Sequence, residues 1–331
     1  MPTTPLAATT HRVETRYALP GPLIQEEALG TEYTYSRAGT VVTLTVPSGP
    51  REFYDPREVE TVYVPALSPE QPRVEGTARI WALNVMRVTV DLTGFGSMQD
   101  KATRQFEDIR DEIDKSWYRG VEIANREITR FVAWLRVETA QSWLGTGDEP
   151  STQYGRSYLR EVGQDNFLIA YGEQQSVTMR HGEIGANVQS LERIRSRLNV
   201  DEDVPPELEL FADARFFARE SDLVDGQRAV LAASMSAEIA AKKAILRRTP
   251  AERLPAVELL LKTRSNVPDL VSEIAKASID RSLKVENPEL LRQLQELNTL
   301  RNQIVHTGRR VDRNTAYRLS YAVEKLFAWL E

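Results

Sequence analysis

Residues 288–308 read PELLRQLQELNTLRNQIVHTG. Leu290, Leu294, Leu297, Leu300 and Ile304 recur every third or fourth position, which puts them on one stripe of an α-helix, and Thr307-Gly308 supplies the usual helix stop. Against that stripe Arg301 is misplaced for an ordinary surface charge. At about 100° per residue it lies only about 40° from Leu297, where a cation requires a partner, a ligand or an interface. Asn302 and His306, four residues apart, share a face about 40° wide, whereas Arg301 and His306 are separated by about 140°. One ideal helix therefore cannot aim all three at one atom. Either the last turn distorts near Thr307-Gly308, or the same helix of a second chain completes the set, and the second is the favoured reading.

Arg309, Arg310 and Arg313 follow at once, and the chain on both sides of this helix carries the same three-and-four spacing. Residues 207–220, 223–247, 251–261, 267–282 and 313–330 all read as amphipathic helices, so residues 207–331 form an all-α helical bundle. Upstream, residues 199–207 (NVDEDVPPE) combine an acidic cluster with Pro205-Pro206, which interrupts helices and sheet ladders alike, and a domain boundary is expected there.

Residues 26–200 read differently. Segments 40–46 (TVVTLTV), 60–64 (ETVYV) and 78–92 (ARIWALNVMRVTVDL) are dense in β-branched and aromatic residues and bounded by Gly and Pro, as strands are. After Gly96, Ser97 with Asp100 resembles a capping box. Phe106, Ile109, Ile113, Trp117, Ala124, Ile128, Phe131 and Leu135 then trace a long amphipathic helix, with Gly120 as a point where it bends or splits. Strand-like pieces (NFLIAYG, SVTMR) return between residues 151 and 182, and 184–198 reads as another helix. This is a mixed α and β domain, expected to sense or regulate. Residues 1–25, rich in Thr, Pro and Ala, read as a flexible arm. The chain is thus expected to be α+β in its first domain and all-α in its second.

The 331 residues, 41% hydrophobic and 27% charged, have the balance of a soluble globular protein. No apolar run is long enough to span a bilayer and no signal peptide is apparent, so the expected location is the cytoplasm, with no membrane partner. The absence of cysteine excludes disulfides and thiolate metal sites, and His11, His181 and His306 are too scattered for a local zinc cluster. No cofactor or metal is expected; any catalysis would be metal-free or use a carboxylate-bound ion. A net charge of −6 argues against non-specific coating of nucleic acid, and residues 201–331 hold 20 Lys and Arg against 21 Asp and Glu, so an RNA surface would be local. Gly94-Phe95-Gly96 reads as a turn rather than a phosphate loop, His181 as a surface loop residue. Trp134, Trp143, Phe211, Phe216 and Phe217 read as packing rather than base-stacking platforms.

The hexapeptide Arg301-Asn302-Gln303-Ile304-Val305-His306 resembles the R-x4-6-H motif of the HEPN superfamily, including the polar residue after the arginine. The helix around 228–246 is similar to the long helix that packs beside the motif helix in that family, and 314–330 takes the place of its closing helix. The resemblance covers residues 207–331 and is nearest to abortive-infection and toxin-type members. It implies a dimeric, metal-independent endoribonuclease with Arg301, Asn302 and His306 as the catalytic set and Arg309, Arg310 and Arg313 on the RNA. It also implies that an antitoxin or a phage-derived trigger acts through the first domain.

The residue types suit that chemistry. Imidazole, with an ordinary pKa near 6.5, serves as base or acid, a position at a helix end favours its protonated form, arginine matches phosphate oxygens bidentately, and an amide orients either partner. The rival reading is a non-catalytic dimeric interaction protein whose motif is structural.

Overall fold

A computed structural model describes residues 6, 8–19, 22–37, 39–48, 62–63, 80–83, 85–103, 106–139, 141, 144, 152–153, 155–173, 186–219, 225–264 and 266–331. His181, Trp143 and the SVTMR segment lie outside these. The chain divides into two compact units, Met1–Asp203 and Val204–Glu331. The first is α+β with antiparallel sheets and the second is helical.

In the first unit the strands are β1 (Ala8–Ala18), β2 (Leu23–Gln25), β3 (Glu32–Arg37), β4 (Thr40–Thr45), β5 (Val62–Tyr63), β6 (Ile80–Leu83), β7 (Val85–Phe95), β8 (Thr152–Gln153), β9 (Gly155–Glu161) and β10 (Phe167–Glu173). The larger sheet runs β10-β9-β1-β7-β4-β3, with β8 also paired to β1; the smaller runs β2-β6-β5. Residues 8–18, expected within a flexible arm over 1–25, are a strand instead. β1 lies inside the larger sheet, paired with β7 from Ala8↔Phe95 to Ala18↔Val85 and with β9 on its other edge. Its side chains alternate: His11, Val13, Thr15 and Tyr17 are buried, while Arg12 and Glu14 point outward to pair with Asp91 and Arg160. The inward set includes a histidine and a threonine, so the strand lacks the apolar alternation that marks one in sequence.

The helices of this unit are α1 (Met98–Thr103), α2 (Phe106–Glu138) and α3 (Val188–Asn199). Ser97 and Asp100 form the reciprocal cap, at 2.9 and 3.1 Å, but on the short α1 rather than on α2. α2 runs unbroken over 33 residues and packs against β1 and β7. Ile109, Ile113, Ala124, Ile128, Phe131, Trp134 and Leu135 are buried on its inner face, and Tyr17 reaches it by a 2.6 Å hydrogen bond to Asn125 Oδ1. The helix does not split at Gly120. A Cβ there would lie 2.4 Å from Val13 Cγ2, so the glycine lets the helix backbone approach the sheet.

His11 sits fully buried beneath this helix. Its Nε2–H donates to the Gly96 carbonyl at 2.7 Å, which leaves Nδ1 unprotonated and without a partner among the described residues. Burial lowers its pKa, outweighing the Gly96 carbonyl and the charge of Glu161. The unfolded chain takes up a proton near pH 6.5 that the folded chain resists, so stability present above that pH is lost as pH falls below it. The thermal midpoint of this unit is expected to drop between pH 7 and 5. His11→Gln should remove that component of the pH dependence, and an unchanged profile in the variant would refute the assignment.

The second unit contains α4 (Pro206–Arg219), α5 (Gly226–Arg248), α6 (Leu254–Thr263), α7 (Val267–Asp269), α8 (Ala275–Ile279), α9 (Leu283–Glu286), α10 (Pro288–Thr307) and α11 (Arg313–Leu330). The helix expected over 267–282 runs without a gap from Val267 to Ile279, as α7, a π-turn at Leu270–Ile274 and α8 end to end, and stops early at Asp280 with φ +57°. α5 is the centre. Ala229, Ala233, Ala237, Ala241 and Ala244 are buried along it, and these small side chains let α4, α10 and α11 pack close. Phe211 meets Phe327 edge-on with centroids 5.1 Å apart, in keeping with a packing role. No helix among the described residues is long and apolar enough to cross a membrane.

Candidate functional site

α10 presents the motif. Pro288 opens the helix, Asn287 caps it by accepting the Leu290 N–H at 3.1 Å, and Leu290, Leu291, Leu294, Leu297, Leu300 and Ile304 are buried against the bundle. Gly308 ends it at φ +65°, a left-handed conformation suited to glycine, with its N–H bonded to Ile304 O at 2.9 Å.

Because the helix stays regular through Thr307, its last turn does not swing Arg301 toward His306. The two remain about 140° apart around the axis, and one chain does not bring them together. Arg301 is half-buried beside the apolar stripe. Its Nη1 donates to Asn302 Oδ1 at 3.0 Å, and it makes no ion pair with any described residue. Asn302 and His306 are exposed, and His306 has no hydrogen-bond partner among the described residues. Arg309 donates to Gln303 Oε1, Arg310 is exposed without a partner among the described residues, and Arg313 opens α11 at the surface.

The turn 308–312 that carries Arg309 and Arg310 is fixed by the first residues of α5. Gln227 Nε2 donates to the carbonyls of Gly308 and Arg309, each at 2.9 Å. Gly226 lies so close to the turn that a Cβ would stand 2.3 Å from Val311 O, a backbone atom that cannot rotate away. Gly226→Ala is therefore expected to destabilise this unit by about 1–3 kcal/mol. A chemical-melt midpoint equal to that of the parent protein would count against this packing.

Gln303 also faces a cleft of about 400 Å³ between α10, the turn and the start of α11. The carboxyl of Glu296, on its wall, is held below the ordinary carboxylate range by hydrogen bonds from Arg318, and that of Asp312 by the Thr315 N–H that it caps. Neither Gln227 nor the cleft is visible in the local sequence pattern. Thr299 and Gln303 look like plain polar-face residues, and only the short connection between α10 and α11 hints that the chain folds back over them. Among the described residues no three His, Asp or Glu side chains converge as a metal site would require.

Compared with protein-family models, curated proteins and solved structures, the chain matches none of them.

Proposed function

We propose that the second unit is a HEPN-type endoribonuclease that works as a homodimer, each catalytic site combining Arg301 of one chain with His306 of the other. The observation that carries this reading is Arg301. It lies beside the apolar stripe with no carboxylate paired to it among the described residues, on the same helix as an exposed histidine that makes no hydrogen bond among them. A partly desolvated guanidinium without a counter-charge is costly to keep, and a phosphate brought from outside would supply one.

In the mechanism His306 removes the proton from a ribose 2′-hydroxyl, and the 2′-oxygen attacks the adjacent phosphorus. The imidazolium so formed then gives a proton to the departing 5′-oxygen. Arg301 holds the charge that builds on the phosphoryl oxygens, and Asn302 orients the guanidinium that it already accepts from. The products are a 2′,3′-cyclic phosphate and a 5′-hydroxyl. Arg309, Arg310 and Arg313 border the site and would contact the RNA backbone. The first unit would then restrain or trigger the nuclease, through an antitoxin or a phage-derived signal, in the cytoplasm.

Purified protein incubated with total RNA and tRNA in EDTA tests this directly. Cyclic-phosphate ends are the expected product. Intact RNA from both the full chain and the isolated second unit would replace the reading with a dimeric interaction protein. That alternative has one observation of its own: Tyr317 and Tyr321, 53% and 52% exposed, sit one turn apart on α11, with the Lys325 ammonium 4.7 Å from the Tyr321 ring centroid.

A further inference from the structure

The cleft beside α10 has the composition of a nucleotide seat. Leu300 and Val311 are the apolar residues among its lining, and its volume of about 400 Å³ is in the range of small-molecule sites. Of the charged groups that line it, the two carboxylates are already engaged. Glu296 accepts two N–H groups from Arg318 at 2.9 and 2.5 Å, and Asp312 accepts from the Thr315 N–H and hydroxyl at 3.0 and 2.7 Å. The two cations are not balanced in that way. Arg309 is steadied by the neutral amide of Gln303, and Arg310 has no partner among the described residues. What the cleft offers is two apolar side chains beside two guanidinium groups that pair with no carboxylate among the described residues.

Its position adds the second argument. Around the α10 axis His306 lies about 20° from Thr299 and 60° from Gln303, both cleft residues, and it stands only about 4.5 Å further along the axis than Gln303. Arg301 points about 160° away from Thr299. Within one chain, then, the cleft and His306 share a side.

We propose that this cleft binds one nucleotide of a single-stranded RNA, with the base on Leu300 and Val311 and the phosphate on Arg309 and Arg310, next to the phosphodiester on which His306 acts. The identity of the polymer rests on the ribonuclease reading; the cleft itself does not. Because Arg310 and Thr299 are exposed, neither can be replaced at the expense of the core.

The test uses the full chain and a fluorescent 2′-O-methyl octaribonucleotide, which cannot be cleaved by 2′-hydroxyl attack, with adenosine 5′-monophosphate and inorganic phosphate as competitors. Arg310→Ala is expected to weaken octamer binding about tenfold and to reduce the log–log salt slope by about 0.7. Thr299→Phe, which plugs the cleft mouth, should weaken it comparably. The monophosphate should displace the octamer where equal inorganic phosphate does not. On cleavable RNA both variants should raise KM and leave kcat within about twofold. Failure of the parent protein to bind the octamer, an affinity unmoved by either variant, or phosphate competing as well as the nucleotide would overturn the proposal. Octamer binding that depends on Arg310 without cleavage of unmodified RNA would uphold the cleft and refute the ribonuclease. Cleavage with an affinity indifferent to Arg310 would do the reverse.

Discussion

Arg301→Ala and His306→Ala are each expected to lower RNA cleavage by about 10²–10⁴-fold, the range for removing a charge stabiliser or a general acid–base group. Folding should be unaffected, because His306 is exposed and Arg301 contributes one hydrogen bond to its own neighbour. The angle between them makes a sharper test possible. If each site takes Arg301 from one chain and His306 from the other, mixing the two inactive variants creates heterodimers with one intact site and one doubly damaged site. Free exchange gives half of all dimers in that form, so about a quarter of the parent activity should return. A site built within one chain gives no recovery. Cleavage rates on one tRNA substrate, before and after mixing, decide between them, and inactivity that persists on mixing would dispose of the shared site.

The largest effect on stability is expected from Gly120→Val. Its Cβ would stand 2.4 Å from Val13 Cγ2 and 2.7 Å from Val13 Cβ, and Leu92 Cδ2 lies 3.2 Å away. All three belong to the two long strands at the middle of the larger sheet. Val13 Cβ is held directly by its strand backbone, so the helix must lift from the sheet or the strands must shift. Overpacking of this kind costs about 1–3 kcal/mol and occasionally more, and three branched contacts in a fully buried place put the loss at about 3 kcal/mol. A urea melt of the full chain should show it as an earlier first transition. Gly120→Ala should show a smaller displacement in the same direction, and a valine variant as stable as the parent would mean that the helix does not cross Val13 so closely.

Gly120 also shows what a sequence conceals. Helix propensity gives the right cost for a mid-helix glycine but not its reason, which lies in a residue 107 positions earlier in the chain, Val13. β1 was hidden for a related cause: its inward residues alternate apolar and polar, and only the Gly96 carbonyl beside His11 makes that histidine tolerable inside. α10 lay open to reading because everything that shapes it is local: a 3.6-residue stripe, a capping Asn287 and a stop at Gly308. The same locality made the faces of Arg301, Asn302 and His306 readable from helix geometry alone. The cleft was not readable, since it depends on Gln227 and Gly226 gripping a turn some eighty residues away. The π-turn at Leu270–Ile274 likewise leaves the three-and-four spacing of its neighbours intact and so goes unseen.

The last residues of the first unit are fastened one after another to α2. Asp201 and Asp203 rest on Arg130 at 3.1 and 2.7 Å, and between them the Glu202 carbonyl accepts the Trp134 indole N–H at 2.9 Å. Asp201 also pairs with Arg37, which shares the buried Glu127 with Tyr35 and Arg130. Mechanically this is a cleat. A pull on the chain at Val204 would be delivered to a 33-residue helix seated across a sheet, rather than to the end of α3, which could be peeled away a turn at a time. An unfolding motor hauling from that side would meet its load at Asp203, and Arg130→Ala would let the rope slip.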